Sequence, residues 1–181
     1  MMMKRCFPPV VDLNTRVLIL GSLPGEVSLA HNQYYAHKQN RFWLLVGDVV
    51  GQNVVDMNYA DRLRTLLECH IGLWDVVAEA QRTGSLDSNI RDHASNDLIA
   101  LIDTMPELKV IAFNGGKAEA IGLRALGVHA ERYRIVRLPS SSPAYAALPY
   151  SAKLSAWREL RRWLFSDEQS AGADFGPASV T

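Results

Sequence analysis

Four short segments concentrate the residues that could bind a small ligand or orient water. Each segment is polar or rich in glycine, and most of them directly follow an apolar run. The segments are Gly21-Ser22-Leu23-Pro24-Gly25, residues 33–43, Asn114-Gly115-Gly116-Lys117 and Pro139-Ser140-Ser141-Ser142-Pro143. One further acid, Asp75, stands inside the apolar run 73–77. Backbone amides, hydroxyls, side-chain amides and aromatic rings of this kind can hold a flat heterocycle or a phosphate.

The segment 21–25 can bring the backbone close to a ligand, because glycine has no side chain and accepts positive φ. The alternative is an ordinary turn at the end of a strand. Two nucleotide-binding patterns are absent from the segment, since no Gly-Lys-Ser/Thr completes a P-loop and Gly-x-Gly-x-x-Gly is missing. Nucleotide cofactors are therefore disfavoured, and we expect no cofactor.

Residues 33–43 carry the most informative side chains. They place two tyrosines, His37 and two amides in an irregular stretch before a helix. Asn40 can cap the helix that begins at residue 41. It can equally serve a pocket, because an amide beside a stacked aromatic ring can orient water or read a flat base. Phe42 and Trp43 are expected in the core.

The remaining polar segments each allow two interpretations. Residues 114–117 could offer backbone N–H groups and Lys117 to an anion, or form a tight strand-to-helix turn with an Asn cap. The hydroxyls of 139–143 could donate to phosphate oxygens, or belong to a serine-rich turn. Asp75 could bind the edge of a base, or be a satisfied acid at the end of a strand.

Several other kinds of site find no support in the residue spacing. Histidines at 31, 37, 70, 93 and 129 form no i, i+4 pair with a carboxylate, and the two cysteines, Cys6 and Cys69, are far apart. No metal site is therefore expected, and a cysteine nucleophile is unsupported. No two carboxylates occupy conspicuous loop positions of the kind that general sugar hydrolases use.

Short apolar runs and longer helical patterns alternate along the chain. The runs 17–20, 73–77, 110–113 and 133–138 are typical of buried parallel strands, and helices are predicted at 41–50, 61–70, 96–105, 116–126 and 151–165. The fold class is therefore α/β. In such sheets, ligands bind beyond the carboxyl ends of the strands, where the polar segments fall.

Composition indicates one soluble domain. The chain has 181 residues, 48% of them hydrophobic, and 19 Lys and Arg balance 19 Asp and Glu. The net charge of zero by itself gives no indication of a nucleic-acid partner. No apolar run approaches the ~18 residues of a membrane helix, and no secretory leader is evident, so we expect a cytoplasmic protein without a membrane partner. Residues 1–165 are predicted as a single domain and 166–181 as a disordered tail.

In combination and in this order, the segments resemble the uracil-DNA glycosylase superfamily, and most closely its hypoxanthine-DNA (deoxyinosine) glycosylase branch. The strongest similarity is in residues 33–43, which end in Gln39-Asn40-Arg41-Phe42-Trp43. Further similarity lies at 21–25, 73–76, 82–87 with Ile90, 113–115 and 138–143. The resemblance covers about residues 16–165, and six motifs in order are not expected by chance.

This resemblance implies a three-layer α/β/α sandwich with a central four-stranded parallel sheet. It also implies a monofunctional glycosylase, expected to be a monomer, that flips a deaminated base out of DNA and hydrolyses its N-glycosidic bond without metal or cofactor.

The resemblance assigns roles by position. Asn40 matches the asparagine implicated in catalysis, and Tyr35 matches the aromatic residue that stacks on the flipped base. The base pocket would comprise Gly21, Ser22, Leu23, Pro24, Gly25, Tyr35, His37, Asp75 and Asn114. DNA would contact Pro139, Ser140, Ser141, Ser142, Pro143 and Lys153.

One departure bears on the substrate. Mismatch-specific uracil and thymine glycosylases have an asparagine where this chain has Leu23. The absence of this asparagine shifts the water-positioning role to Asn40 and favours hypoxanthine over uracil as the substrate base. The alternatives are a mismatch-specific uracil or thymine glycosylase, and a module that binds damaged DNA without hydrolysis. A hydrolase of free nucleosides is disfavoured by the 139–143 loop.

Overall fold

The apolar runs of the sequence form a central parallel sheet. The computed structural model describes residues 3–165, in which the strands are β1 (Met3–Arg5), β2 (Val17–Gly21), β3 (Ile71–Asp75), β4 (Val77–Gln81), β5 (Arg91–Ser95), β6 (Val110–Asn114) and β7 (Arg134–Leu138). Four of these strands make the central sheet in the order β3-β2-β6-β7, all parallel. Every residue of β2 and β6 is buried, as expected for strands covered on both faces.

Helices cover both faces of this sheet. They are α1 (Glu26–His31), α2 (Phe42–Val50), α3 (Tyr59–Glu68), α4 (Leu98–Ile102), α5 (Gly116–Leu126), α6 (Tyr150–Trp157) and α7 (Arg161–Leu164). Short 3₁₀ segments lie at Val54–Asp56, Asp87–Asn89, Gly127–Arg132 and Arg158–Leu160. Within residues 3–165, no helix combines the length and apolar character needed to cross a bilayer.

Strand β2 divides the core into two halves, because successive side chains of a strand point to opposite faces. Val17 and Ile19 pack with residues of α2, α3, α6 and α7. Leu18 and Leu20 pack on the other side with residues of α4 and α5. The predicted three-layer α/β/α arrangement around a four-stranded parallel sheet is confirmed.

A second, antiparallel sheet was not predicted. It has the strand order β1-β4-β5. The prediction of one strand over 73–77 is wrong, since β3 ends at Asp75 and the chain enters β4 at Val77. The N–H of Val76 donates to the carbonyl of Gly21 at 2.8 Å, where the chain leaves the central sheet. Residues 73–77 include no Gly or Pro to mark this boundary.

The sequence pattern predicts the positions of the helices more accurately than their lengths. The predicted helices 41–50, 61–70 and 116–126 correspond to α2, α3 and α5 within two residues. The helix predicted at 96–105 is only the five residues of α4, and the one predicted at 151–165 is interrupted by a 3₁₀ turn. Helix α1 was not predicted. The predicted tail 166–181 lies outside the described residues.

The register of the sheet brings the polar segments to one edge. Gly21 at the end of β2 pairs with Asp75 at the end of β3. Asn114 at the end of β6 pairs with Leu138 at the end of β7. Because all four strands run in the same direction, their carboxyl ends and the loops that follow them meet at a single place.

Candidate active site

The carboxyl edge of the central sheet opens into a cavity of about 560 Å³. This volume lies in the range typical of small-molecule sites. The sequence-predicted residues that line it are Gly21, Ser22, Leu23, Pro24, Gly25, Tyr35, His37, Asn40, Asp75, Asn114, Ser140, Ser141, Ser142 and Pro143. Pro139 and Lys153 lie outside this lining. The fold therefore brings most of the predicted site residues together from five separate parts of the chain.

A buried arginine anchors the loop 21–25. Arg82 is 1% exposed and points its guanidinium at backbone carbonyls of that loop. It donates to Leu23 O at 3.4 Å and also to Pro24 O, while its Nε donates to Gly84 O at 3.1 Å. Because these carbonyls are held from behind, the loop presents a defined backbone to the cavity.

The end of β2 is closely surrounded by two polar side chains. A Cβ built on Gly21 would lie 2.6 Å from Oδ1 of Asp75 and 2.8 Å from Oη of Tyr35. Real Cβ atoms do not approach other atoms so closely, so a larger residue here would have to displace the carboxyl group of Asp75 and the phenol of Tyr35. The glycine therefore leaves room for both groups beside the end of β2.

The side chain of Asn114 ties three parts of the site together. Its Nδ2 donates to Tyr35 Oη at 3.2 Å and to Ser141 Oγ at 2.9 Å, and its Oδ1 accepts from Ser141 N at 2.9 Å. All three residues are partly or fully buried. Both amide hydrogens of Asn114 are thus occupied, so this side chain organises the pocket and holds the 139–143 loop against it.

Tyr35 forms an aromatic platform. Its ring stacks on Phe42 with centroids 3.9 Å apart and planes 14° from parallel. Its φ is +53°, an uncommon conformation for a residue with a side chain and one that concentrates at functional sites. Burial of its phenol, followed by the nearby charge of Asp75, raises the pKa of Tyr35 above its ordinary value. The ring is therefore rigid and neutral.

Asn40 lies one residue before the N-cap of α2, which is Arg41, so the prediction of Asn40 as the N-cap is wrong by one position. Its Oδ1 nevertheless accepts the N–H of Phe42, the first residue of α2, at 3.0 Å, and the half-buried side chain lines the cavity. A carbonyl oxygen has a second lone pair, and within residues 3–165 the Nδ2 of Asn40 has no hydrogen-bond partner. The bond to Phe42 therefore holds an amide that still has one acceptor site and two donors to offer.

His37 lies at the exposed rim of the cavity. Its Nδ1 accepts the N–H of Gln39 at 3.1 Å, which leaves Nε2 as the proton-bearing nitrogen of the neutral ring. This bond is the local backbone contact that a loop histidine is expected to make.

Two carboxyl groups, Asp75 and Asp87, share this cavity. The sequence did not reveal this pair, because Asp75 ends a strand and Asp87 lies in a short 3₁₀ segment rather than in a conspicuous loop position. Ser22 Oγ donates to Asp87 Oδ1 at 2.6 Å, whereas Oδ2 of Asp75 is buried without a hydrogen-bond partner in the described part of the chain. Burial raises the pKa of Asp75 to about 7, helped by the negative charge of Asp87 and opposed by Arg82.

The 139–143 loop is anchored on three sides. Trp157 Nε1 donates to Pro139 O at 3.0 Å, and Arg41 N donates to Ser141 O at 3.0 Å. Lys153 is 5% exposed, and its Nζ lies 3.5 Å from Ser142 O. Burial lowers the pKa of Lys153. The lysine therefore supports the loop from behind.

Two important residues of the site were missed as candidates. Arg82 and Asp87 fell within the 82–87 segment on which the resemblance partly rested, but no role was assigned to them. Their spacing in the sequence does not indicate a role in the site, because Arg82 binds a loop nearly 60 positions earlier in the chain. Within residues 3–165, no three His, Cys, Asp or Glu side chains come together so that they could hold a metal ion.

A four-stranded parallel sheet between helices, with a polar cavity built from the loops beyond its carboxyl edge, is the architecture expected of a uracil-DNA-glycosylase-like protein. The pattern of the Uracil DNA glycosylase superfamily matches residues 8–162 of the chain. The chain belongs to this superfamily, and its substrate is therefore DNA.

Relatives agree with this assignment along nearly the whole chain. A protein of Methanosarcina barkeri named hypoxanthine DNA glycosylase is 45% identical over 161 residues, which are 87% of this chain and 98% of the relative. A protein of the same name from Methanosarcina acetivorans is 47% identical over 145 residues, which are 79% of this chain and 89% of the relative. The solution NMR structure of a candidate uracil DNA glycosylase from Methanosarcina acetivorans superimposes with a TM-score of 0.78 at 44% identity, covering 90% of this chain and 99% of that one.

Proposed function

We propose that this protein excises hypoxanthine from deoxyinosine in DNA by hydrolysing the N-glycosidic bond. The observation that carries the proposal is the cavity at the carboxyl edge, in which the platform of Tyr35 and the amide of Asn40 face the same space. Two relatives at 45% and 47% identity bear the name hypoxanthine DNA glycosylase, which supports this choice of base.

Selection begins before the base reaches the cavity. A base inside a duplex cannot be attacked at its sugar bond, so the enzyme unstacks it at a cost of a few kcal/mol. This cost is lowest for a base that pairs poorly, as deaminated bases do. Hypoxanthine then stacks on Tyr35, while the backbone of residues 21–25 contacts its edge.

Asn40 orients the attacking water. Cleavage of the bond develops positive charge on the sugar, so a water held near C1′ by an amide adds to it readily. An amide is not a strong base, and its contribution is positioning through hydrogen bonds. Leu23 lines the cavity and brings only an apolar side chain, so it offers no group for this task. The water-positioning role therefore falls on Asn40.

The loop 139–143 fills the space that the flipped base leaves in the DNA. Ser140 and Ser142 line the cavity, and a loop with proline at both ends resists displacement by the strand. Lys153 supports the loop and contributes positive charge close to the DNA backbone. The protein acts as a monomer in the cytoplasm. Sedimentation with and without DNA would test the monomeric state.

The test is a base-release panel under single-turnover conditions. Oligonucleotides with one inosine, uracil, xanthine or mismatched thymine are incubated with the protein, and abasic sites are cleaved by alkali. We expect cleavage at inosine in the greatest yield. Preferential cleavage at uracil or mismatched thymine would instead identify a mismatch-specific glycosylase.

A second candidate function is binding of damaged DNA without hydrolysis, which the absence of a polar side chain at Leu23 favours. It predicts tight binding to inosine-containing DNA with no release of base at any enzyme concentration. The same panel, run with a parallel binding measurement, separates the two functions. Release from free deoxyinosine would point instead to a nucleoside hydrolase.

A further inference from the structure

The side chain of Asp75 has an unusual position for a carboxyl group. It is the last residue of β3, is 4% exposed, and lines the floor of the cavity beside Gly21. Its Oδ2 is buried and, among residues 3–165, has no hydrogen-bond partner. Leaving an ionised oxygen in such a place is costly, whereas a protonated carboxyl group would be a donor that waits for an acceptor.

The charges around Asp75 favour the protonated form. Burial has the largest effect, the carboxylate of Asp87 adds to it, and Arg82 opposes it, so that the pKa is raised to about 7. The titratable and charged groups that act electrostatically on Asp75 or are acted on by it are Cys6, Tyr34, Tyr35, Arg82 and Asp87. Of these, only Arg82 carries a positive charge, and its guanidinium is engaged with backbone carbonyls.

Excision of a purine creates a demand for such a donor. When the bond between C1′ and N9 breaks, the electron pair goes to the purine, which leaves more easily if a ring nitrogen receives a proton. Asn114 has both amide hydrogens committed to Tyr35 and Ser141, and His37 lies at the exposed rim. Of the two carboxyl groups in the cavity, Asp87 already accepts the hydroxyl of Ser22 and lies beside the cation of Arg82, so Asp75 is the acid that remains.

We propose that Asp75, in its protonated form, is the general acid of this site and donates its proton to N7 of hypoxanthine as the base departs. The inference rests on the proposed function. The C1′–N9 bond breaks with its electrons passing to the purine, and the carboxyl proton moves to N7, so neutral hypoxanthine leaves. The water oxygen forms the new bond to C1′ and releases one proton to solvent, and Asp75 regains a proton from solvent after the product departs.

The first experiment is the pH profile of base release from inosine-containing DNA. Single-turnover rate constants of the wild type are measured between pH 5.5 and 9.5. The rate constant should be constant at low pH and fall tenfold per pH unit above a midpoint at or above pH 7, because the acid must be protonated to act. Filling of the cavity by the base excludes water, which can only raise this midpoint further.

Substitution of the acid provides the second readout. Asp75→Asn keeps the shape of the side chain but has no proton to transfer. It should lower the rate constant about 100-fold or more at pH 6 and abolish the alkaline limb. Asp103→Asn is the matched control, because Asp103 is an exposed carboxylate outside the lining of the cavity, and it should leave the profile unchanged.

A variant of the neighbouring carboxylate tests the same idea without removing the acid. Asp87→Asn takes away a negative charge that raises the pKa of Asp75, so the alkaline limb should move to lower pH. This shift is expected even if Asp75→Asn proves unable to fold. A limb that stays in place would overturn the assignment.

The outcomes separate this inference from the proposed function. If the wild type releases no hypoxanthine at any pH, the proposed function fails. If it releases hypoxanthine with a flat profile, or if Asp75→Asn retains the alkaline limb, the general-acid role alone is wrong. A rate constant that rises with pH through 7 would also overturn it, since an ionised Asp75 would then be stabilising the positive charge on the sugar.

Discussion

At the scale of single residues, the side chains that we propose to act on the substrate also have structural duties. Asn40 accepts the N–H of the first residue of α2 and lines the cavity, and Asn114 organises a loop while supporting Tyr35. Side chains held by their own hydrogen bonds lose little freedom on binding, so such a site is already arranged for its substrate. The two duties can be separated by choosing substitutions that retain one of them.

Asn40→Ala and Asn40→Ser should lose activity to the same extent but differ in stability. Both remove the amide that orients water, so the single-turnover rate constant should drop at least 100-fold in each. Alanine also removes the acceptor of the Phe42 N–H and should cost about 1 kcal/mol of unfolding free energy, whereas serine retains an oxygen that can accept this N–H. Urea unfolding and base release check the two effects. Near wild-type turnover of Asn40→Ala would show that the catalytic assignment is wrong.

Ionisation of the buried Asp75 should lower the unfolding free energy of the protein as the pH rises towards 8. Its pKa of about 7 in the folded state exceeds the ~3.9 of an unfolded chain, so between these values the folded state binds the extra proton. The contribution of Asp75 to stability is thus full below pH 4 and lost as pH rises through 7. Asp75→Asn should therefore be about 1–3 kcal/mol more stable than the wild type at pH 8 and nearly equal to it at pH 4.5. Equal unfolding free energies at pH 8 would contradict this.

At the scale of elements, the loop 21–25 is held in place by a residue that directly follows strand β4. Arg82 follows β4 of the second sheet and binds carbonyls of the loop after β2 in the central sheet. The antiparallel sheet therefore has a definite role, because it delivers this guanidinium to the back of the cavity wall. A bare loop of glycine, proline and leucine would lack such support.

Arg82→Ala should loosen the 21–25 loop. Removing a buried guanidinium leaves carbonyls of Leu23 and Pro24 without their partner, which should lower the unfolding free energy by about 2–4 kcal/mol and reduce base release. Arg64→Ala is the matched control, since Arg64 is 67% exposed and its ion pairs lie on the surface. It should change stability by less than about 1 kcal/mol. Comparable losses in the two variants would argue against the anchoring role.

At the scale of the whole molecule, zero net charge is compatible with a DNA substrate. The chain holds 19 basic and 19 acidic residues, and Lys153 is buried behind its loop. In the proposed function, specificity comes from a cavity that receives one base, so the number of phosphates that the protein contacts can be small. Hydroxyls and backbone amides can contact phosphates without adding net charge.

The salt dependence of DNA binding should therefore be shallow. If about three or four phosphates are neutralised, the plot of log K against log salt concentration has a slope of about −3. Fluorescence anisotropy with an inosine-containing duplex between 50 and 300 mM salt would measure it, with Asn40→Ala used to prevent turnover. A slope of about −6 or steeper would indicate a much larger basic footprint.

Much of the molecule could be predicted from local patterns. The parallel strands are apolar runs with turn residues after them, and α2, α3 and α5 show helical spacing, so their positions follow from burial and periodicity. The second sheet could not be predicted in this way. Residues 73–77 form a strand end and a strand start with no Gly or Pro between them, and β1 depends on pairing with residues more than 70 positions away.

The sequence by itself determined the fold class and which loops would meet, because parallel strands place all their carboxyl ends at one edge. It also identified Asn40, Tyr35 and Asp75 as candidates, since their types and neighbours are visible along the chain. Only the tertiary structure decided how they are used. The burial of Asp75, its approach to Asp87 and the anchoring by Arg82 depend on distances between segments far apart in the chain. Desolvation and charge proximity, which control a pKa, exist only after folding.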